Sequence, residues 1–205
     1  LITGAGAGIG RDSALAFARE GAAVAVVDVR GVRAEQTAEL IRAEGGNARA
    51  FTCDVRFLEQ VEKSVAEALS EFGRIDAVFN DAGTTRPGSI VSVSLEDWEM
   101  VLDVNLRGTF NVSRAVLPHM LRNGRGLIIN VASVASFCTG ANMSGYHAAK
   151  AAVVAFSKAL ALEEADPATG GAAAVSSAPS APSDWYTAAG ESHGTRRENL
   201  RYIPI

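Results

Sequence analysis

Cysteine is scarce in this chain: of 205 residues, only Cys53 and Cys138 are cysteine. Two thiols cannot build the disulfide framework of a small secreted scaffold. The simplest setting is therefore a reducing compartment, read as cytoplasmic. No Cys/His cluster has metal-ligand spacing, so no metal is expected. No window reaches the ~18 consecutive apolar residues of a membrane span. The chain does not open on a basic region followed by an apolar stretch and a small-residue cleavage site, so no signal peptide is read. No long run of Lys or Arg occurs and the formal charge is -4. That balance argues against a dedicated nucleic-acid binder.

Apolar material is plentiful. The chain is 48% hydrophobic and 20% charged, which excludes a wholly disordered polymer and suffices for a buried core. At roughly 100–200 residues per domain, one domain is expected. Leu1-Ile2-Thr3 reads as the end of a strand whose beginning is missing, so the chain reads as a fragment at that end.

Residues 1–165 alternate short apolar runs with longer helical patterns. Strands are expected at 1–3, 23–28, 48–53, 75–80 and 126–131. Helices are expected at 10–20, 33–44, 57–72, 95–121 and 145–165, the fourth capped by Ser94 with Asp97 three residues on. Gly21 and Gly45-Gly46 supply helix stops. The run Ala23-Val24-Ala25-Val26-Val27 has no polar alternation, as in a strand buried on both faces. The alternation predicts an α/β fold: a Rossmann-like, doubly wound parallel sheet with helices on both faces.

The composition changes after residue 165. From 166 to 205, 21 of 40 residues are Ala, Gly, Ser or Pro, and no strand-length apolar run appears before the end. This segment reads as an atypical, poorly ordered tail.

Residues 3–10 read Thr-Gly-Ala-Gly-Ala-Gly-Ile-Gly, between a strand end and a helix start. In a doubly wound sheet that junction binds phosphate, because glycines let the ligand approach and the first-turn N–H groups face it. Asp28 ends the second strand 18 residues after Gly10. A carboxylate there accepts hydrogen bonds from ribose hydroxyls and repels a 2′-phosphate, so NAD is expected over NADP. Arg11 and Arg30 lie near it in sequence.

The glycine spacing is T-G-x-x-x-G-x-G. Together with Asp54-Val55, Asn80-Asp81-Ala82-Gly83 and the Ser133, Tyr146 and Lys150 spacing, it resembles the short-chain dehydrogenase/reductase family in its compact single-domain branch, over residues 1 to about 162. The resemblance implies a cofactor set of Gly4, Gly8, Ile9, Gly10, Asp28, Asp54, Val55, Asn80, Ala82, Gly83, Tyr146 and Lys150. Asp81 stands where the family's N-N-A-G has its second Asn. Ser133 ends the fifth strand, Tyr146 comes 13 residues later and Lys150 four after that. On a helix, i and i+4 share a face, so Tyr146 and Lys150 can serve one site. The resemblance makes Ser133, Tyr146 and Lys150, with Asn105, the catalytic set. Free tyrosine titrates near ~10, and a neighbouring ammonium favours the tyrosinate. Tyr146 is then the general acid/base, Ser133 orients the substrate oxygen, and Asn105 holds a water that relays protons from Lys150.

The activity so implied is an NAD(P)-dependent alcohol dehydrogenase moving hydride between nicotinamide and a secondary alcohol or ketone. The alternative is a family member that binds the dinucleotide but is catalytically impaired, and a third reading is a misfolded product. Relatives continue into a sixth strand and a Pro-Gly turn, whereas Pro-Gly is missing here after Leu162. The last strands are therefore expected to be missing or replaced, through a frame shift, a truncation or an alternative end. The resemblance also implies a homodimer or homotetramer, with no membrane or nucleic-acid partner. His147 reads as a loop or wall residue, His119 as a surface group and Cys138 as a packing residue or, alternatively, a lining of the substrate pocket. Asn142 and Met143 lie in the same loop as Cys138.

Overall fold

The computed structural model describes residues 1–165 and 173–178. Six parallel strands form one sheet in the order β3-β2-β1-β4-β5-β6. They are β1 (Ile2–Thr3), β2 (Val24–Asp28), β3 (Ala48–Thr52), β4 (Ala77–Asn80), β5 (Gly126–Val131) and β6 (Ala173–Ala178). The helices between them are α1 (Gly8–Arg19), α2 (Gly31–Ala43), α3 (Leu58–Phe72), α4 (Leu95–Leu102), α5 (Gly108–Arg122) and α6 (Ser144–Ala165). The expected doubly wound α/β architecture is the one observed.

Strand β2 is buried on both faces, which explains its unbroken apolar sequence. Val24 and Val26 pack with Ala14, Ala34, Ala38 and Ile41 of α1 and α2. Ala25 and Val27 face the other way, onto Val61, Val65, Val112 and Val116 of α3 and α5. Successive side chains point to opposite faces, so a strand covered on both sides has no polar positions to spare. At ~25 cal/mol per Å² of apolar surface removed from water, these layers dominate the stability.

The strand order reverses between β1 and β4, with β1 in the middle: Ile2 lies opposite Val26 of β2 on one side and Phe79 of β4 on the other. A crevice opens at the carboxyl ends of the strands at such a reversal.

Two expectations are corrected. The single helix over 95–121 is divided by a π-helical segment, Asp103–Arg107, between α4 and α5. Its side-chain pattern continues the apolar periodicity, so the extra residue per turn is invisible in sequence. Ser94 caps α4 as expected, its Oγ accepting the Asp97 N–H at 3.0 Å. The second correction concerns the sheet's end. The sixth position is filled by Ala173–Ala178, paired in register with Gly126–Val131. That run has no large aliphatic block, and so carries no strand signal in the sequence. The expected loss or replacement of the last strands thus takes the form, at position six, of an Ala/Ser strand. The rest of the expected tail lies outside the described residues.

Among the described residues, no helix is long and apolar enough to cross a membrane. Cys53 and Cys138 are both free thiols.

Candidate active site

Three glycines shape the turn from β1 into α1, each for its own reason. Gly4 has φ +68°, and a Cβ there would stand 2.9 Å from the Ala82 Cα. Gly8 has φ +54° and open space around the missing Cβ, while a Cβ on Gly10 would meet the Gly4 carbonyl oxygen at 2.5 Å. Ala7, the N-cap, offers no side chain to the first turn of α1. The free amides and the helix dipole there favour an anion.

Asp28 is fixed by two backbone donors. Gly6 N–H donates to Oδ2 at 2.9 Å and Arg30 N–H to Oδ1 at 2.8 Å. Each oxygen keeps a further lone pair for a ligand hydroxyl. The Arg11 head group is turned into the loop: Nη2 donates to the Gly6 carbonyl at 2.5 Å and Nε to Thr37 Oγ1 at 3.2 Å. Gly6 is not singled out by the sequence. Its only signal there is membership of the glycine run.

A cavity of about 550 Å³ joins Gly4, Gly8, Ile9, Asp28, Asp54, Val55, Ala82 and Gly83. Asp54 enters it as half of an ion pair, with Arg56 Nη2 donating to Oδ2 at 2.6 Å. Arg56 holds the Asp54 carboxyl below the usual carboxylate range. Gly10 and Asn80 do not line this cavity. Asn80 is buried in the sheet, its Nδ2 donating to Asn130 Oδ1 at 2.9 Å, so it braces β4 against β5. A larger groove of about 720 Å³ between α3, α5 and α6 contains none of these residues.

The four expected catalytic residues come from three different elements. Ser133 follows β5 and caps the turn Val134–Ser136, its Oγ accepting the Ala135 N–H at 3.1 Å. Tyr146 and Lys150 lie one turn apart on α6, with Lys150 Nζ 5.9 Å from the Tyr146 ring centroid. Lys150 is 4% exposed, and its Nζ donates to the Val131 carbonyl at 2.7 Å. Burial pushes its ammonium down to about 8, with Asp81 acting in the opposite sense. Asn105 sits in the π-helical segment, fully buried. Its Nδ2 donates to the carbonyls of Thr84 at 2.7 Å and Val101 at 2.8 Å. Its Oδ1 has no partner among the described residues. A Cβ on Gly83 would stand 2.9 Å from that Oδ1 and 3.8 Å from Lys150 Nζ. Gly83 therefore keeps open the space between the two.

Three minor expectations change. His147 does more than wall the site. Its Nδ1 lies 2.8 Å from the Ala135 carbonyl, and its Nε2 accepts the Gly140 N–H at 2.9 Å. Both contacts are satisfied by the neutral ring protonated on Nδ1. Cys138 is exposed, not packed. His119 is half-buried, and its Nε2 accepts the Ile75 N–H at 3.3 Å, at the approach to β4. In the loop before α6, Asn142 takes φ 64° and its carbonyl accepts the Gly88 N–H at 2.8 Å. Among the described residues no cluster of three or more His, Cys, Asp or Glu could hold a metal ion.

The sheet order and the crevice at its reversal are those of the doubly wound nucleotide-binding fold class. The family model for short chain dehydrogenase matches residues 1–169, and the chain belongs to that family. Short-chain reductase protein NovJ of Streptomyces niveus is 44% identical over 163 residues, 80% of this chain and 62% of the relative. D-threitol dehydrogenase of Mycolicibacterium smegmatis is 40% identical over 163 residues, 80% of this chain and 63% of the relative. The solved structure of NAD+-bound xylitol dehydrogenase superposes with a TM-score of 0.80 at 33% identity, covering 86% of this chain and 66% of that one. The chain thus spans under two thirds of the length of these two curated relatives.

Proposed function

We propose that this chain is an NAD-dependent oxidoreductase acting on a secondary alcohol or ketone, with Tyr146 as general acid/base. Residues 1–165 are the dinucleotide-binding and catalytic unit of this reading. The observation that carries it is the juxtaposition of a buried lysine, Lys150, with the Tyr146 ring at 5.9 Å. A buried ammonium beside a phenol is the kind of neighbour that a tyrosine acid/base requires.

The dinucleotide fits the residues present. Gly8 leaves its cradle open, and Gly4 and Gly10 admit no side chain. The backbone of Gly4, Gly8 and Ile9 would hold the pyrophosphate. The Asp28 oxygens would accept the adenosine ribose hydroxyls and disfavour a 2′-phosphate, which supports NAD over NADP. Asp54 and Val55 would border the adenine, and Ala82 and Gly83 the adjoining ribose. Lys150 would reach the nicotinamide ribose.

When bound, nicotinamide accepts or returns the hydride. In the oxidative direction Ser133 Oγ orients the substrate hydroxyl, and the Tyr146 oxygen takes its proton. Lys150 favours the charged form of Tyr146. The unpaired Asn105 Oδ1 offers an acceptor for a water on the Lys150 side, through which the proton leaves. The two free thiols agree with a reducing, cytoplasmic setting, and the family's habit supports a homodimer or homotetramer.

The test is a titration of the purified chain with NADH followed by nicotinamide fluorescence, then a turnover screen of secondary alcohols and ketones. Saturable binding with turnover is expected. Tyr146→Phe should keep binding and abolish turnover, and Lys150→Ala should weaken binding and abolish turnover. Saturable binding with no turnover on any substrate would leave a dinucleotide-binding protein without the reaction.

A further inference from the structure

His147 adjoins Tyr146 in the first turn of α6, and the reaction proposed above gives it no task. Both of its ring nitrogens are spent on the segment that follows β5. The Gly140 N–H can only donate, so His147 Nε2 accepts it at 2.9 Å. The ring proton is then on Nδ1, which donates to the Ala135 carbonyl at 2.8 Å.

Ala135 is also the residue that holds Ser133. Its N–H donates to Ser133 Oγ at 3.1 Å. Ser136 closes the same turn: its Oγ accepts the Ser133 N–H at 3.3 Å, and its N–H donates to the Ser133 carbonyl at 2.9 Å. The N–H groups of Phe137 and Cys138 both donate to the Val134 carbonyl, within the same stretch. Among the described residues, the hydrogen bonds that leave residues 133–141 for another element are the two made by His147. The bonds therefore run from Ser133 Oγ through Ala135 to His147, and so to the helix that carries Tyr146 and Lys150.

Resting on the function proposed above, we propose that His147 is a positioning residue for that reaction: it ties the turn that holds Ser133 Oγ to the helix that carries Tyr146. A hydroxyl has one O–H and two lone pairs. The Ala135 N–H takes one lone pair of Ser133 and leaves the O–H and the other for a substrate oxygen. With the turn untied, Ser133 and Tyr146 sit on separate elements that move independently, and the substrate oxygen loses its fixed place between them. The dinucleotide has no part in this tie, because none of residues 133–147 lines the 550 Å³ cavity proposed to receive it.

Variants of His147 test the tie. His147→Ala removes both bonds, and His147→Phe removes both while keeping the ring's volume. His147→Gln keeps a donor and an acceptor on one terminal carbon. In the Ala and Phe variants the Gly140 amide, followed by NMR of 15N-labelled protein, should exchange about fivefold faster. The Ala135 amide, which holds Ser133, should exchange faster with it. KM for the secondary alcohol selected by the turnover screen should rise several-fold, and Kd for NADH should stay at the parental value. His147→Gln should return exchange and KM towards the parent. His147→Phe decides the matter if His147→Ala does not fold. Unchanged Ala135 exchange in folded His147→Phe overturns the proposal. Faster exchange with an unchanged KM overturns the positioning role. A loss of NADH affinity as large as the rise in KM also overturns it, since that marks a general loosening of the fold. A parent that binds NADH and turns over no substrate removes the function on which the role rests, and Ala135 exchange still decides whether His147 holds the Ser133 turn.

Discussion

Gly6 and Asp28 are in contact with no room for a side chain between them. The Gly6 N–H donates to Asp28 Oδ2 at 2.9 Å, and a Cβ on Gly6 would stand 2.7 Å from that same oxygen and 2.7 Å from Arg33 Cβ. Gly6→Ala must displace the carboxylate or the loop. Overpacking of this kind costs about 1–3 kcal/mol. A lower Tm and weaker NADH binding are expected together. An alanine variant with parental melting and parental binding would show that the contact places nothing.

Asp28→Ala should weaken NAD more than NADP. The substitution removes the acceptor for the ribose hydroxyls and also frees the Gly6 and Arg30 amides. Parallel titrations with the two reduced cofactors measure the ratio. Equal losses would assign Asp28 a loop-bracing role only.

His147 ties the segment after β5 to α6 through both ring nitrogens. Each such bond is worth about 1 kcal/mol net. His147→Ala should speed hydrogen exchange at the Gly140 amide and raise KM several-fold, with a smaller effect on kcat. Gly140 exchange that is the same in the variant and the parent would remove the strap.

A chain of buried amides and a hydroxyl anchors α6 to the sheet. Asn80 Nδ2 donates to Asn130 Oδ1 at 2.9 Å, Asn130 Nδ2 to Ser157 Oγ at 2.9 Å, and Ser157 Oγ to the Val153 carbonyl at 2.7 Å. Asn130→Ala leaves Asn80 Nδ2 with Ser113 Oγ at 3.5 Å as its remaining partner. Leaving buried polar groups unmet costs about 1–3 kcal/mol. A melt should show that loss, with NADH binding reduced less than turnover, because the lever lies under Tyr146 and Lys150.

The features legible in the sequence were those encoded within a few neighbouring residues. The run from Thr3 to Gly10 displays its own turn chemistry, Asp28 closes its own strand, and Tyr146 and Lys150 share a helix face by spacing alone. Features built from distant residues were not legible. The π-helical segment around Asn105 keeps an apolar helical pattern and reads as a continuous helix. The Ala/Ser run that forms β6 has no strand signature without β5 beside it. Asn80 reads as a crevice residue by its motif, yet its amide is spent on Asn130, 50 positions away.

The sequence by itself determined the alternation of strands and helices, the glycine turn and the identity of the reacting groups, because periodicity and local spacing act over one or two turns of chain. Only the tertiary structure decided how charge is distributed among those groups. Asp81 and Lys150 are 69 positions apart, and neither is unusual until burial strips water from both. Long-range electrostatics depends on which groups the sheet brings together and how deeply they lie, and no stretch of sequence contains that distance.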